Sequence, residues 1–150
     1  MSPRQQYCTL RVGDLFLGIN VGEIQEVIRD TAFTPVPLAY PAIRGLINLR
    51  GQIVTALDLR RRLGLDDAAD GGSTSTMVLG TAEEPLALVV DRVGDVVEVD
   101  AESFEPPPDT VKGEARTMIE GAHKLESRLL LILNLTAVMS IGDPANEVGP

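Results

Sequence analysis

The chain has 150 residues, 22 of them acidic and 13 basic, for a net charge of −9, with 3% aromatic residues, one cysteine and one histidine. So acidic a chain with so few stacking side chains repels a phosphate backbone, which argues against nucleic acid as partner. One Cys and one His rule out a metal cluster built on those residues and leave a single imidazole for acid–base chemistry, so that only carboxylates remain for catalysis.

The length suffices for one domain with its own core, without disulfides. The unpaired Cys8, with no apolar leader ahead of it, fits a reducing cytoplasm. The apolar run Leu129 to Leu133 is strand-sized, so no membrane insertion is expected.

In chain order, "YCTLRVGDLFLGINV" predicts two strands around a Gly13-Asp14 turn, a favoured two-residue hairpin loop. In "VGEIQEVI", Val21, Ile24 and Val27/Ile28 recur at intervals of three and four, which predicts a helical turn. The prolines of "FTPVPLAYP" then force extended backbone. "AIRGLINLRGQIVTALDL" is β-rich and apolar on both faces, with a reversal permitted by Gly51. Asp58 caps a short helix that carries Leu59 and Leu63 on one face and stops at Gly64.

The aperiodic "DDAADGGSTST", residues 66–76, reads as a mobile loop between two halves, and its "DGG" lacks the spacing of a phosphate loop. Strands return with "MVLG" and "EPLALVVD", "FEPPPDTVKGEART" reads as a long proline-marked loop, and "RLLLILNL" as a buried strand. A short helix "LTAVMSI" precedes a polar tail that frays. Short strands punctuated by turns, with little helix, predict small β-barrels or a sandwich.

The second half restates the first. A shift of 69 aligns Leu17/Leu86, Val21/Val90, Ile24/Val93, Glu26/Asp95 and Val27/Val96. A shift of 71 aligns Phe33, Pro35 and Pro37 with Phe104, Pro106 and Pro108, and one of 76 aligns Ile43/Ile119, Gly45/Gly121, Leu49/Leu125, Leu57/Leu133 and Asp58/Asn134. What both copies keep is architecture, so Asp58 reads as a helix cap. What differs is a candidate for contact: "NLRG" becomes "KLES", which singles out Asn48, Arg50 and Gly51. The "RRR" at 60–62 reads as a solvated face near a helix C-terminus, His123 as a packed histidine and Cys8 as a small strand residue.

"FLGINVGEIQEV", "IRGLINLRGQIVTALDLRRRLG", "ALVVDRVGDVVEV" and "IEGAHKLESRLLLILNL" together resemble the CheW family of bacterial chemotaxis coupling proteins. The likeness covers Tyr7 to Ile141, with Thr55 standing where the family usually has proline. The resemblance implies a mainly β fold: two tandem five-stranded SH3-like β-barrels around a shared hydrophobic seam, with short helices. The chain would form one CheW-like domain over 1–150, with subdomains 1–76 and 77–150 and an N-terminal strand that packs on either.

It further implies a non-enzymatic adaptor without cofactor, cytoplasmic and recruited to membrane-associated arrays. Its partners would be the regulatory domain of a CheA-type histidine kinase and the cytoplasmic tip of methyl-accepting chemoreceptors. Carried over by motif position, Ile24, Glu26 and Val27 would contact the kinase, and Asn48, Arg50, Gly51, Val90, Asp91 and Val93 the receptor. A chain ending at 150 without receiver or kinase domain favours a stand-alone coupling protein. Because the second copy carries Asp95 and Glu126 where the first has Glu26 and Arg50, only the first can pair opposite charges there. The alternative is a small β-barrel hydrolase using Asp58 or Asp91 with another carboxylate, which the lack of a paired-acid motif weakens.

Overall fold

Strand β1 (Arg4–Val12) and strand β2 (Leu15–Asn20) meet at a two-residue loop whose first position, Gly13, takes φ +61°. The chain continues through β3 (Ile24–Arg29), β4 (Ile43–Leu49), β5 (Gln52–Asp58) and α1 (Leu59–Arg62). Then follow β6 (Ser75–Gly80), β7 (Pro85–Val90), β8 (Arg92–Asp100), β9 (Phe104–Glu105), α2 (Glu114–Thr117), β10 (Ile119–Lys124), β11 (Leu129–Leu133) and α3 (Leu135–Met139). The computed structural model describes residues 3–29, 31–37, 39–66, 74–80 and 85–140. Most of the expected loop at 66–76, including "DGG", and the expected tail lie outside the described residues.

The fold is mainly β, in two sheets ordered β3-β6-β7-β5-β4 and β8-β1-β2-β11-β10-β9. The sheets do not follow a cut at 76/77, which would fall inside β6. The six-stranded sheet takes the N-terminal hairpin β1-β2 and joins it to β8 and β11, while the five-stranded sheet takes β6-β7 and joins them to β3 and β5. Each repeat thus lends its first hairpin to the other.

The sequence repeat survives this exchange down to the register. Ile24 faces Leu79 and Val27 faces Met77, while Val93 faces Leu10 and Val96 faces Cys8, each pair reproducing the shift of 69. Both ladders carry an irregularity between those positions. The parallel pairings β5·β7 and β2·β11 also correspond.

The repeated glycine has a steric reason. The bridge Thr34↔Leu46 in the first copy corresponds to Glu105↔Ala122 in the second, so that an extended segment crosses close above Gly45 and Gly121. A Cβ on Gly45 would lie 2.6 Å from the Thr34 carbonyl oxygen, and one on Gly121 2.5 Å from that of Glu105 and against the Phe104 ring. Only glycine admits such an approach of backbone to backbone.

Two local expectations are corrected. Residues 21–28 hold only a single 3-10 turn, Val21–Glu23, before β3, in which half-buried Ile24, Glu26 and Ile28 alternate with exposed Gln25, Val27 and Arg29. Pairing with β6 selects the period of two over the competing period of three to four. The proline-marked segment after Ser103 is not all loop: it contains β9 and α2.

The largest core cluster lies between the sheets, with Leu10, Leu17 and Leu133 from one and Leu57, Leu79 and Leu88 from the other, joined by Leu59 of α1, its C-cap Leu63 and Val138 of α3. Each fully buried leucine contributes about 1.5–3 kcal/mol. Each sheet also has a private cluster, Ile47, Val54 and Val89 in the first and Tyr7, Leu130 and Ile132 in the second. His123, which replaces the Ile47 of the first copy, is buried, its Nδ1 2.7 Å from Ser103 Oγ and its ring between Tyr7 and Phe104.

Both predicted caps are present: Asp58 accepts from the Arg61 N–H at 3.3 Å and Asn134 from the Ala137 N–H at 3.1 Å. The three arginines of α1 are anchored rather than merely solvated. Arg60 grips Asp91, Arg61 donates to the Pro41 carbonyl, and Arg62 donates to the carbonyls of Ala137 and Val138 at 2.8 and 2.9 Å, in the C-terminal turn of α3.

Candidate functional site

The hairpin joining β4 and β5 is closed by Leu49 opposite Gln52, which leaves Arg50 and Gly51 as the loop. Both take positive φ, +52° and +84°, the geometry of a type I′ turn. Gly51 adopts it freely, whereas for an arginine it costs about 1 kcal/mol. Arg50 is the one non-glycine residue with positive φ among those described. The Asn48 side chain accepts from the Gly51 N–H at 2.9 Å and braces the turn. A favoured loop residue here would be Asn or Gly, so the arginine is kept against local preference.

The turn aims Arg50 at β3, where its Nη1 lies 2.6 Å from Glu26 Oε2. Glu26 is about a quarter exposed (27%) while Arg50 is mostly in solvent (73%). Since β3 and β4 are the two edges of the five-stranded sheet, the pair ties one edge to the other. The opposite-charge pair expected from the repeat comparison is therefore formed in the first copy. Beside it stand Val27, 42% exposed on β3, and Ile53, 61% exposed on β5 and directly opposite Asn48. Sequence reasoning did not single out Ile53. Its signal was the apolar residue two places beyond Gly51, on the face of β5 opposite buried Val54.

The remaining candidates lie elsewhere. Val90 is buried in the shared core, and Ile24 and Val93 pack against it, so these three serve the seam between the sheets. Asp91, at the junction of β7 and β8, is fully engaged. Arg60 Nε and Nη2 donate to its two carboxylate oxygens at 2.9 and 2.7 Å, and the Gly13 N–H donates to Oδ2 at 2.8 Å. The Arg60 hydrogen bonds, aided by Gly13, hold its carboxyl below the usual range against the opposing effect of burial. The candidates thus separate into a rim formed by Glu26, Val27, Asn48, Arg50 and Gly51, and a seam formed by Ile24, Val90, Asp91 and Val93.

The same geometry leaves neither Asp58 nor Asp91 free to serve as a catalytic acid. Asp58 caps α1 and pairs with Arg44 at 3.2 Å, and Asp91 is locked to Arg60. A general acid needs a carboxyl that holds its proton near neutral pH, the opposite of what Arg60 imposes on Asp91. Among the described residues no group of three or more His, Cys, Asp or Glu side chains is arranged to hold a metal ion.

Residues 6–142 match the family model described as a CheW-like domain. The chain belongs to the CheW-like family. It is 31% identical over 121 residues to the chemotaxis protein CheW of Bacillus subtilis, covering 81% of this chain and 78% of that one. It is 28% identical over 134 residues to chemotaxis protein CheW of Rhizobium meliloti, covering 89% and 86%. Among solved structures, the scaffolding protein TtCheW from Thermoanaerobacter tengcongensis superposes with a TM-score of 0.82 at 25% identity, over 95% of each chain. CheW family proteins are scaffold adaptors rather than enzymes, and the hydrolase alternative has no support.

Proposed function

We propose that this CheW-like chain couples the cytoplasmic tip of methyl-accepting chemoreceptors to the regulatory domain of a CheA-type histidine kinase. It would do so in the cytoplasm, held at membrane-associated arrays by those partners. The observation that carries the proposal is the Arg50–Glu26 pair at 2.6 Å, presented from a turn whose backbone is unfavourable for arginine. Glu26 and Val27 make the kinase contact, with Ile24 behind them, and Asn48, Arg50 and Gly51 make the receptor contact, with Val90, Asp91 and Val93 supporting it from the seam. Exposed Val27 provides apolar surface on the kinase side, and Ile24, Val90 and Val93 act by packing in the core rather than by broad exposure.

In this proposal the five-stranded sheet, and the six-stranded sheet with β8 and β9 taken as one interrupted strand, each curl into an SH3-like five-stranded barrel. The segments that follow the edge strands β3 and β8 reach the far side of their own sheets, where Thr34 pairs with Leu46 of β4 and Glu105 with Ala122 of β10, and this supports that closure. Within the single domain, the two units are those of the sheets rather than halves cut at 76/77.

Calorimetric titration of a CheA-type regulatory domain, repeated at low and physiological salt, tests the proposal. Binding is expected to persist at both, because apolar contacts are not screened over the ~8 Å Debye length that weakens exposed charges. Receptor-containing membranes should then activate the kinase only when this chain is added. No binding at either salt concentration would overturn the assignment.

A further inference from the structure

The repeat that explains the Arg50–Glu26 rim also exposes a second site, at the matching place in the six-stranded sheet. There Arg11 of β1, Arg92 at the start of β8 and Arg128 before β11 surround a cavity of about 200 Å³, with Phe16 and Leu125 in its wall and Asp95 at its side. Arg11 and Arg92 are direct cross-strand partners. Like charges so placed oppose each other unless a counter-charge is supplied. All three arginines are exposed, and among the described residues no carboxylate lies within ion-pair distance of any of them. Unpaired clustered cations stand out in a chain of net charge −9.

The guanidiniums are also held in position. Arg128 lies 3.8 Å from the centroid of the Phe16 ring and Arg11 5.5 Å from it, so that one aromatic ring fixes two cations. Such stacking leaves the planar N–H fork available for a carboxylate. The scaffold does not require this arrangement. By the repeat, Arg11, Phe16, Arg92 and Arg128 correspond to Gly80, Pro85, Glu23 and Gln52 at the matching place of the five-stranded sheet, with no cation among them.

We infer that this cavity docks an acidic, apolar-flanked segment of a partner protein, with Glu or Asp side chains on the three arginines and an apolar side chain against Phe16 and Leu125. A membrane surface fits less well. Recognition of anionic lipid takes clusters of roughly 4–8 cations, and the rest of this acidic chain would be repelled by the same surface. The site is separate from the rim of the first copy, and its occupant contributes a contact beyond the kinase and receptor surfaces proposed above.

The test is an NMR titration of the full ¹⁵N-labelled chain with an acetylated hexapeptide of alternating glutamate and leucine. Its glutamine–leucine counterpart serves as control, and phosphatidylserine vesicles are the competing ligand. The acidic peptide should shift the Phe16 and Leu125 amides and the Arg11 and Arg128 side-chain Nε–H signals, and the control peptide should not. Its Kd should rise about tenfold in Arg11→Gln/Arg128→Gln, a change of about 1.4 kcal/mol. Phe16→Leu, which keeps the wall apolar but removes the stacking, should weaken binding severalfold, and a dispersed spectrum shows that each variant is folded. Equal binding of both peptides, unchanged affinity in both variants, or shifts produced by vesicles and not by the peptide would each overturn the inference.

Discussion

Replacing Arg50 by Gly and, separately, by Ala distinguishes a residue that contacts a partner from one that holds the fold. Arg50→Gly relieves a φ of +52°, worth about 1 kcal/mol in favour of the variant. It also adds backbone freedom to the unfolded chain, worth about 0.5–1 kcal/mol against it. Loss of the pair with Glu26 subtracts a further ~0–1 kcal/mol, the range for ion pairs with a solvent-exposed member. These contributions nearly cancel, so the variant stays within about 1 kcal/mol of the parent. For a chain of this size that is a shift of about 2–4 °C in the thermal midpoint.

Arg50→Ala keeps the unfavourable φ and loses the pair, and so falls slightly below Arg50→Gly. Receptor-dependent kinase activation should drop in both, measured as phosphate transfer in reconstituted arrays. Glu26→Ala should act by an overlapping route, giving a non-additive double variant. A fall in midpoint well beyond 4 °C for Arg50→Gly would assign the arginine to the scaffold. Folded variants with normal activation would make it an ordinary turn residue.

Gly121→Ala and Gly45→Ala should each destabilise by about 2–4 kcal/mol in urea titration, since the added methyl meets a backbone carbonyl oxygen at 2.5 and 2.6 Å respectively. Asn134→Ala should cost about 1 kcal/mol of stability by loss of a cap. Asp58→Ala should cost more, because it also removes the ion pairs to Arg44 and Arg61; equal midpoints for the two would refute that ordering. Asp91 is held below the ordinary carboxylate range, first by Arg60, so its stabilisation is present above the unfolded pKa of about 3.9 and lost as pH falls through the lower folded value. Asp91→Asn should therefore lower stability at neutral pH and flatten its decline in acid, and matching acid limbs in the two proteins would contradict the role given to Arg60.

Local chemistry wrote much of this fold into the chain. The Gly13-Asp14 loop, the caps at Asp58 and Asn134 and the reversal at Arg50-Gly51 depend on neighbours within a few residues, and each is where the sequence suggests. The Arg50–Glu26 pair was legible too, because comparing the two copies removes whatever the scaffold demands from both. The strand order was not. Whether β1 pairs with β3 or with β8 is decided by contacts almost ninety residues apart, and both copies present the same apolar pattern to either partner. Helical spacing in 21–28 misled for a related reason: Val21 and Ile24 do pack against the core and Ile28 is half-buried, but from a 3-10 turn and a strand with an irregular register rather than from one helix. Apolar strand residues such as Val90 and Val93 suit a partner surface or a core, and the packing of the two sheets places Val90 in the core and Val93 against it.

The exchange of hairpins between the sheets makes the two repeats mechanically inseparable. Neither repeat can complete a sheet from its own strands, because each lacks the first hairpin that the other holds. A half-length chain would have to find the missing strands on a second copy of itself, as a domain-swapped homodimer does. The present chain is such a dimer in covalent form, with its two protomers free to diverge. That freedom is what allows one rim to carry a glutamate–arginine pair and the other three unpaired arginines on an otherwise common framework. Pulling either rim loads a sheet built from strands of both repeats, so a force or a partner acting on one side is met by both halves of the chain.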